Sequence, residues 1–228
     1  MANADNQDQA QDQVQSSNTS ITISNVMNKV INKVIVIDTE TTGLPEQTRY
    51  QTFYNPSNYS KYKTSRVIEI GYYIYTCKGE FVSKRDILIK PNNFKVENSE
   101  IHGITQEQLE REGIFLIDAL SNLVVDIASC DTIVAHNLVF DFNVISAECY
   151  RILANGHNEI ARKLVDKMTS MKKVCTMELG MQKLGRTRRI KLSHLYEELT
   201  DEEWDQQHRA EDDARVCGIC YWLLVDML

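Results

Sequence analysis

No apolar run in this chain approaches the roughly 18 residues that span a bilayer, so no membrane helix is expected. The opening MANADNQDQAQDQ has neither a basic stretch nor an apolar one, which excludes a secretory signal. It is acidic and lacks Arg, unlike a mitochondrial transit peptide. With 3 prolines and 9 glycines in 228 residues, collagen-like and Pro/Gly low-complexity chains are excluded. Six cysteines with no export signal read as reduced thiols in a cytosol-like compartment.

The remaining composition is ordinary: 43% hydrophobic and 25% charged. That suits one domain with a sizeable core. The 25 Lys+Arg and 32 Asp+Glu give a net charge of −7, unevenly spread. Residues 162–191 hold ten bases against Asp166 and Glu178, a local +8 that leaves −15 elsewhere. Such asymmetry fits a face for a polyanion, and equally a solvated Lys-rich surface. An acidic chain is a poor nonspecific coater of duplexes, whose affinity rests on many phosphate contacts.

Residues 1–20 are Gln/Asn/Asp/Ser-rich and read as a disordered tail, because they bury too little to offset ordering. Residues 21–32 fit a short strand or a short helix, and the domain proper runs over 33–228. KVIVID (33–38) reads as a strand covered on both faces. Residues 66–76 and 80–90 read as a hairpin turned at Lys78-Gly79. Thr105 with Gln108 is a capping-box pattern that starts a helix. Residues 114–129, 139–154, 158–168, 192–199 and 208–226 read as helices, with short strands at 132–135 and 172–176. The fold class is therefore α/β. Between the first strand and the hairpin runs a long connection, residues 45–65, and over 45–66 the chain interleaves Tyr50, Phe53, Tyr54, Tyr59 and Tyr62 with Arg49, Lys61, Lys63 and Arg66. Aromatics and bases together fit single-strand binding, and equally a Tyr-rich loop packed on its own sheet.

Asp38 and Glu40 stand at i and i+2 as the first strand ends, so they share a face with Cα atoms about 6–7 Å apart. The carboxyl edge of an α/β sheet is where ligands bind. Hard oxygen ligands there suit Mg²⁺ or Mn²⁺. Taken alone, the pair is equally an acidic loop start. Three other segments bear on it: IHGIT (101–105), VAHNLVFDFNVI (134–145) with His136-Asn137 ahead of Asp141, and HRAEDDA (208–214) with His208 five residues before Asp213.

With these motifs together, the chain resembles the DnaQ-like 3′–5′ exonucleases, the DEDDh branch of the RNase H-like superfamily. The resemblance covers about residues 33–226. It implies a three-layer αβα domain with a mixed sheet of about five strands. It also implies metal-dependent hydrolysis at the 3′ end of a nucleic acid, releasing nucleoside 5′-monophosphates. Asp38, Glu40, Asp141 and Asp213 become metal ligands for two divalent cations, Mg²⁺ or Mn²⁺, with Asp38 bridging, and His208 the general base. The H-x-x-x-x-D count assigns Asp213 and leaves the adjacent Asp212 solvated. Thr41, Thr42, Gly43, Leu44, His102 and Asn137 become substrate-binding residues. His102 also fits a loop-capping role, and His136 is expected to order its turn by hydrogen bonds.

DNA is the first-choice substrate, because IHGIT and the first motif are most like proofreading-type exonucleases. Trimming of RNA or short oligoribonucleotides is the close alternative. A polymerase or a replication or repair protein is the expected partner, no membrane is involved, and the compartment is cytoplasmic or nucleoid/nuclear. Rival readings are a catalytically silent nucleic-acid-binding module and an endonuclease of the same superfamily. Converging acids argue against the first and the H-x-x-x-x-D spacing against the second. The basic segment is expected to border the cleft and grip the substrate strand. Cys217 and Cys220, a lone C-x-x-C in an apolar helix, read as core packing rather than a zinc site.

Overall fold

Lys33–Thr41 (β1) contains four consecutive β-branched residues, Val34 to Ile37, all buried. Such a run suits a strand covered on both faces. In the computed structural model β1 is the centre of a five-stranded sheet. The structure describes residues 32–49, 52–96 and 98–227. The expected tail over 1–20 and all but one residue of the 21–32 lead-in lie outside the described residues.

Two further short strands, Gln47–Arg49 (β2) and Thr52–Phe53 (β3), form a separate small ribbon. In the main sheet β1 pairs antiparallel with Val67–Thr76 (β4), and β4 antiparallel with Phe81–Leu88 (β5). On its other side β1 runs parallel to Cys130–Ala135 (β6), and β6 parallel to Lys172–Cys175 (β7). The order is β5-β4-β1-β6-β7, a mixed sheet as expected. The β4–β5 hairpin turns where Lys78-Gly79 placed it, closed by the Thr76 N–H donating to the Glu80 carbonyl at 2.8 Å.

The helices are Ser99–His102 (α1), Gln106–Glu112 (α2), Leu116–Ile127 (α3), Leu138–Ala154 (α4), Glu159–Ser170 (α5), Thr176–Lys183 (α6), Leu192–Thr200 (α7) and Ala210–Asp226 (α8). Alternation along β1 divides them into two layers. Ile35 and Ile37 enter a core with Leu120, Leu123, Ile145 and Leu164 of α3, α4 and α5. Val34 and Val36 enter a second core with Leu195 of α7 and Val216, Cys217, Cys220 and Leu224 of α8. The result is the expected three-layer αβα arrangement. Burying each such aliphatic contributes about 1.5–3 kcal/mol.

Several boundaries move for local reasons. The helix expected from 114 starts at Leu116, because Ile114 bridges to Ile89 beside the sheet. The helix expected from 208 starts at Ala210, because His208 has φ of +49° and cannot join it. Only half of the capping box forms: Thr105 Oγ1 accepts from the Gln108 N–H at 3.1 Å, while the Gln108 side chain donates to Glu112. Helix α6 has no counterpart in the sequence reading.

The aromatic 45–65 segment packs inward. Tyr62 is fully buried, Phe53 meets Phe140 edge-on at 6.0 Å, and Tyr54 and Tyr59 lie against the α3–α5 core. The Tyr62 hydroxyl donates to the Tyr54 carbonyl. Of the two readings of this segment, the structure shows the packed loop; Tyr50 lies outside the described residues. Cys217 and Cys220 are buried free thiols in the α8 core, as expected.

Candidate active site

Side chains on β1 alternate, so Asp38 follows Val36 toward the α8 layer while Thr39 follows Ile37 toward α4. Across the antiparallel pairing Asp38 stands opposite Gly71, and Glu40 opposite Glu69. Parallel β6 ends beside β1, and its chain turns through His136 and Asn137 into α4. Asn137 takes the left-handed conformation, φ +67°, which Asn tolerates better than most residues. That turn delivers Asp141 in the first turn of α4, where it is buried and accepts a hydrogen bond from Thr39 Oγ1 at 2.8 Å.

Asp213 comes from the first turn of α8 and is also buried. One of its oxygens, Oδ2, accepts from Gln206 Nε2, while Oδ1 is buried with no partner among the described residues. Asp212 faces elsewhere, accepting from Trp204 Nε1 at 3.1 Å and pairing with Arg215. The five-residue count from His208 therefore selected the acid that turns into the cluster.

α8 can reach β1 this closely because Gly71 lies beneath it. A Cβ on Gly71 would sit 2.2 Å from the Ala210 carbonyl carbon and from the Glu211 nitrogen. Only glycine permits that approach of strand to helix backbone.

The electrostatics follow from crowding four acids, two buried and two half-buried, into one corner. Burial first, then the charges of Asp141, Asp213, Glu40 and Glu69, hold the Asp38 carboxyl well above the usual range. Burial and the nearby acids push Glu40 up to about 9. Burial pushes Asp141 and Asp213 each up to about 7, against the opposing hydrogen bonds from Thr39 and Gln206. Among the described residues no hydrogen bond or ion pair reaches the carboxylates of Asp38 or Glu40. Arg209 is the one positive charge that lowers Glu40, too little to offset the four acids, and a divalent cation is the kind of ion that would balance them.

His208 is exposed at the mouth of this corner. One ligand atom each from Glu40, His208 and Asp213 lie within 4.8 Å of one another, a grouping able to hold a metal ion. Asp38, His136, Asn137, Lys191, Trp204, His208 and Asp213 line an open hollow of about 620 Å³.

The expected substrate residues divide. Asn137 lines the hollow and Leu44 is 67% exposed just past β1. Thr41 and Thr42 are buried, their hydroxyls donating to the Gly43 and Thr64 carbonyls, so both hold the turn together. A Cβ on Gly43 would lie 3.0 Å from the Thr64 carbonyl oxygen, so the close approach there is to the chain itself. His102 is buried, and its Nδ1 accepts from the Ile104 N–H at 3.1 Å, the loop-capping geometry. His136 bonds Thr176 Oγ1 at 3.0 Å and the Ile190 carbonyl at 2.9 Å, ordering its turn as expected. Burial lowers its pKa to about 4, so it is neutral at pH 7.

The basic segment 162–191 is not one patch. Lys191 reaches the hollow, and Arg186, Arg188 and Arg189 line a neighbouring depression that also contains Glu197, Glu198 and Asp201. Lys167 instead donates to the Ala128 carbonyl, and Lys173 lies over the Phe142 ring.

Sequence reasoning missed Glu69. It is fully buried on β4, with Oε1 accepting from Arg209 Nε at 2.9 Å and from Nη2, and Oε2 accepting from the Ala210 N–H at 2.8 Å. An acid inside the apolar run VIEIGYYIY was the available signal.

Helices thus cover both faces of the five-stranded sheet, and acids converge at the carboxyl end of its central strand. The chain belongs to the exonuclease family RNase_T, whose family model matches residues 35–221. No curated protein matches it. Solved structures with this fold include Escherichia coli exonuclease I in complex with a dA16 oligonucleotide, with a TM-score of 0.59 and 12% identity over 86% of this chain and 41% of that one. The zinc-bound E. coli exonuclease I–ssDNA complex matches at TM-score 0.60 and 14% identity, over 86% and 40%. Exonuclease I from Methylocaldum szegediense matches at 0.58 and 15%, also over 86% and 40%. The chain thus spans about two fifths of these neighbours' length. No helix among the described residues is long and apolar enough to cross a membrane.

Proposed function

We propose that this protein is a DEDDh-type 3′–5′ exonuclease that removes nucleoside 5′-monophosphates from a nucleic acid end, with DNA as the favoured substrate. The observation that carries the reading is the quartet Asp38, Glu40, Asp141 and Asp213, contributed by β1, α4 and α8, half-buried to buried, with no ion pair to any of the four among the described residues. The donor set is all carboxylate oxygen, which fits Mg²⁺ or Mn²⁺. The orphaned Asp213 Oδ1 is one atom waiting for such a partner.

Two bound cations would neutralise the scissile phosphate, lower the pKa of the attacking water and stabilise the leaving oxygen. The four carboxylates would hold that pair, with Asp38 central because it interacts with the other three acids. His208, exposed beside them, accepts the proton of the attacking water. The water oxygen bonds to phosphorus, the P–O3′ bond breaks, and the 3′ oxygen leaves with a proton from solvent. Exposed Leu44 packs against the terminal base, Asn137 lies in the cleft, and Thr41, Thr42 and Gly43 fix the turn that presents Leu44. His102 supports this wall through its loop. Lys191 takes a backbone phosphate beside the cleft.

The choice of DNA rests on the proofreading-like motif context and on the DNA-bound exonuclease I neighbours. The test uses matched 5′-labelled DNA and RNA single strands with Mg²⁺, Mn²⁺ or chelator, and Asp38→Ala protein as control. A metal-dependent ladder that shortens from the 3′ end, faster on DNA and absent in the variant, is expected. Uncleaved strands, or internal cuts in a circular substrate, would overturn the reading.

A further inference from the structure

We propose that Glu69 and Arg209 form a clamp that positions His208 and Asp213 against Asp38 and Glu40, and so sets the rate of the cleavage inferred above, on which this inference rests. Glu69 is fully buried within an apolar strand, directly across the β1–β4 pairing from Glu40. As a fifth acid in that corner it raises the pKa of Asp38, Glu40 and Asp213, so its presence works against the charged form of the quartet. A buried carboxylate with that cost points to a task done by its oxygens.

Its two oxygens grip two adjacent residues, one each. Oε1 accepts from the Arg209 guanidinium, at 2.9 Å from Nε and also from Nη2. Oε2 accepts from the Ala210 N–H at 2.8 Å. Arg209 is the N-cap residue of α8 and its own side chain caps nothing in the helix. The Ala210 N–H is one of the donors that a helix start leaves unpaired. Glu69 thus caps α8 from another strand, with its negative charge at the positive end of the helix dipole.

The clamp sits between the two groups it would position. His208 immediately precedes Arg209, with φ of +49°. A non-glycine residue in that region persists when its surroundings over-determine it, and two anchored residues on one side do so. On the other side the Asp213 N–H donates to the Arg209 carbonyl at 2.9 Å. Holding Arg209 therefore fixes the backbone of both. Arg209 also lies 3.7 Å from Asp86, which tethers the guanidinium to β5 as well. Glu69 and Arg209 are positioning residues; neither needs to touch the substrate.

The test compares Glu69→Gln, which keeps the shape and loses the charge, with Arg209→Lys, which keeps the charge and loses the forked contact. Folding is checked by circular dichroism and thermal melting. The readouts are kcat and KM on a 5′-labelled oligonucleotide and Mn²⁺ affinity by titration calorimetry without substrate. Outer-shell partners of metal ligands typically contribute 10–100-fold to affinity or activity. Glu69→Gln is expected to lose kcat and Mn²⁺ affinity in about that range with KM unchanged, and Arg209→Lys to fall between it and wild type. Variants that melt earlier yet keep wild-type kcat and Mn²⁺ affinity would reduce the pair to a fold-stabilising contact and overturn the proposal. If Glu69→Gln does not fold, Arg209→Lys decides, because its side chain is partly exposed. A wild-type protein that neither cleaves nor binds Mn²⁺ would overturn the cleavage reading and this inference with it; active wild type with unchanged variants overturns the clamp alone.

Discussion

Replacing Gly71 by alanine puts one methyl group where strand β4 and helix α8 meet backbone to backbone. The new Cβ would stand 2.2 Å from the Ala210 carbonyl carbon and the Glu211 nitrogen, and 2.4 Å from the Ala210 oxygen. Ordinary contact begins near 3.4 Å, so the start of α8 must retreat by about 1 Å. The atoms in the way are main chain, so no rotamer change relieves the clash. Asp213 belongs to the same first turn and moves with it. A misplacement of about 1 Å costs about 100-fold in rate, equivalent to about 2.7 kcal/mol of barrier. Overpacking costs about 1–3 kcal/mol of stability, which lowers Tm by roughly 2–12 °C for a domain of this size. The assay is single-turnover cleavage of a labelled oligonucleotide at 25 °C, paired with scanning calorimetry. A folded Gly71→Ala protein with wild-type kcat would refute the argument that α8 is seated on this strand and that its seat places Asp213.

Two more outcomes follow from the charge arrangement. Burial pushes Asp141 and Asp213 up to about 7 and, with the neighbouring acids, Glu40 up to about 9, against 3.8 to 4.5 for unperturbed carboxyls. The folded state therefore binds more protons than the unfolded one between about pH 4 and 9. Their contribution to the metal-free protein is fully present below about pH 4 and is lost as pH rises through 7 toward 9. Metal-free Tm should fall between pH 5 and 8.5, and saturating Mn²⁺ should restore it most at pH 8.5; a metal-free Tm that rises over this range would contradict the assignment. On the α4 side, buried Glu148 pairs with Arg66 and Arg151 and accepts from the Val67 N–H. Glu148→Ala should cost about 3–5 kcal/mol in urea unfolding, while cleavage per folded molecule stays at the wild-type level.

The legible parts of the fold were those written in local pattern. Four β-branched residues marked β1, a Lys-Gly turn marked the hairpin, and 3.6-residue periodicity marked α3, α4 and α5. The acids were legible because each motif couples a carboxylate to a strand end or a helix start, and register does the rest: Thr39 turns to α4 and Asp38 to α8. Other features depended on distant partners. α6 follows β7 without a break, and TMELGMQK has only a weak apolar stripe. The aromatics of 45–65 show the same composition whether they stack on bases or on Phe140. The basic segment looked continuous in sequence, yet α5, β7 and the 184–191 loop carry its charges to different surroundings. Glu69 and Gly71 matter through contacts with residues about 140 positions away, which no local window contains.

The most direct test of the central claim is calorimetric titration of Mn²⁺ into metal-free protein at pH 8, with wild type and Asp38→Ala compared after both are shown to be folded. Two ions per wild-type chain, and loss of that binding in Asp38→Ala, is the predicted result. Absence of binding to wild type, or equal binding to both proteins, would contradict a cation site built by Asp38, Glu40, Asp141 and Asp213.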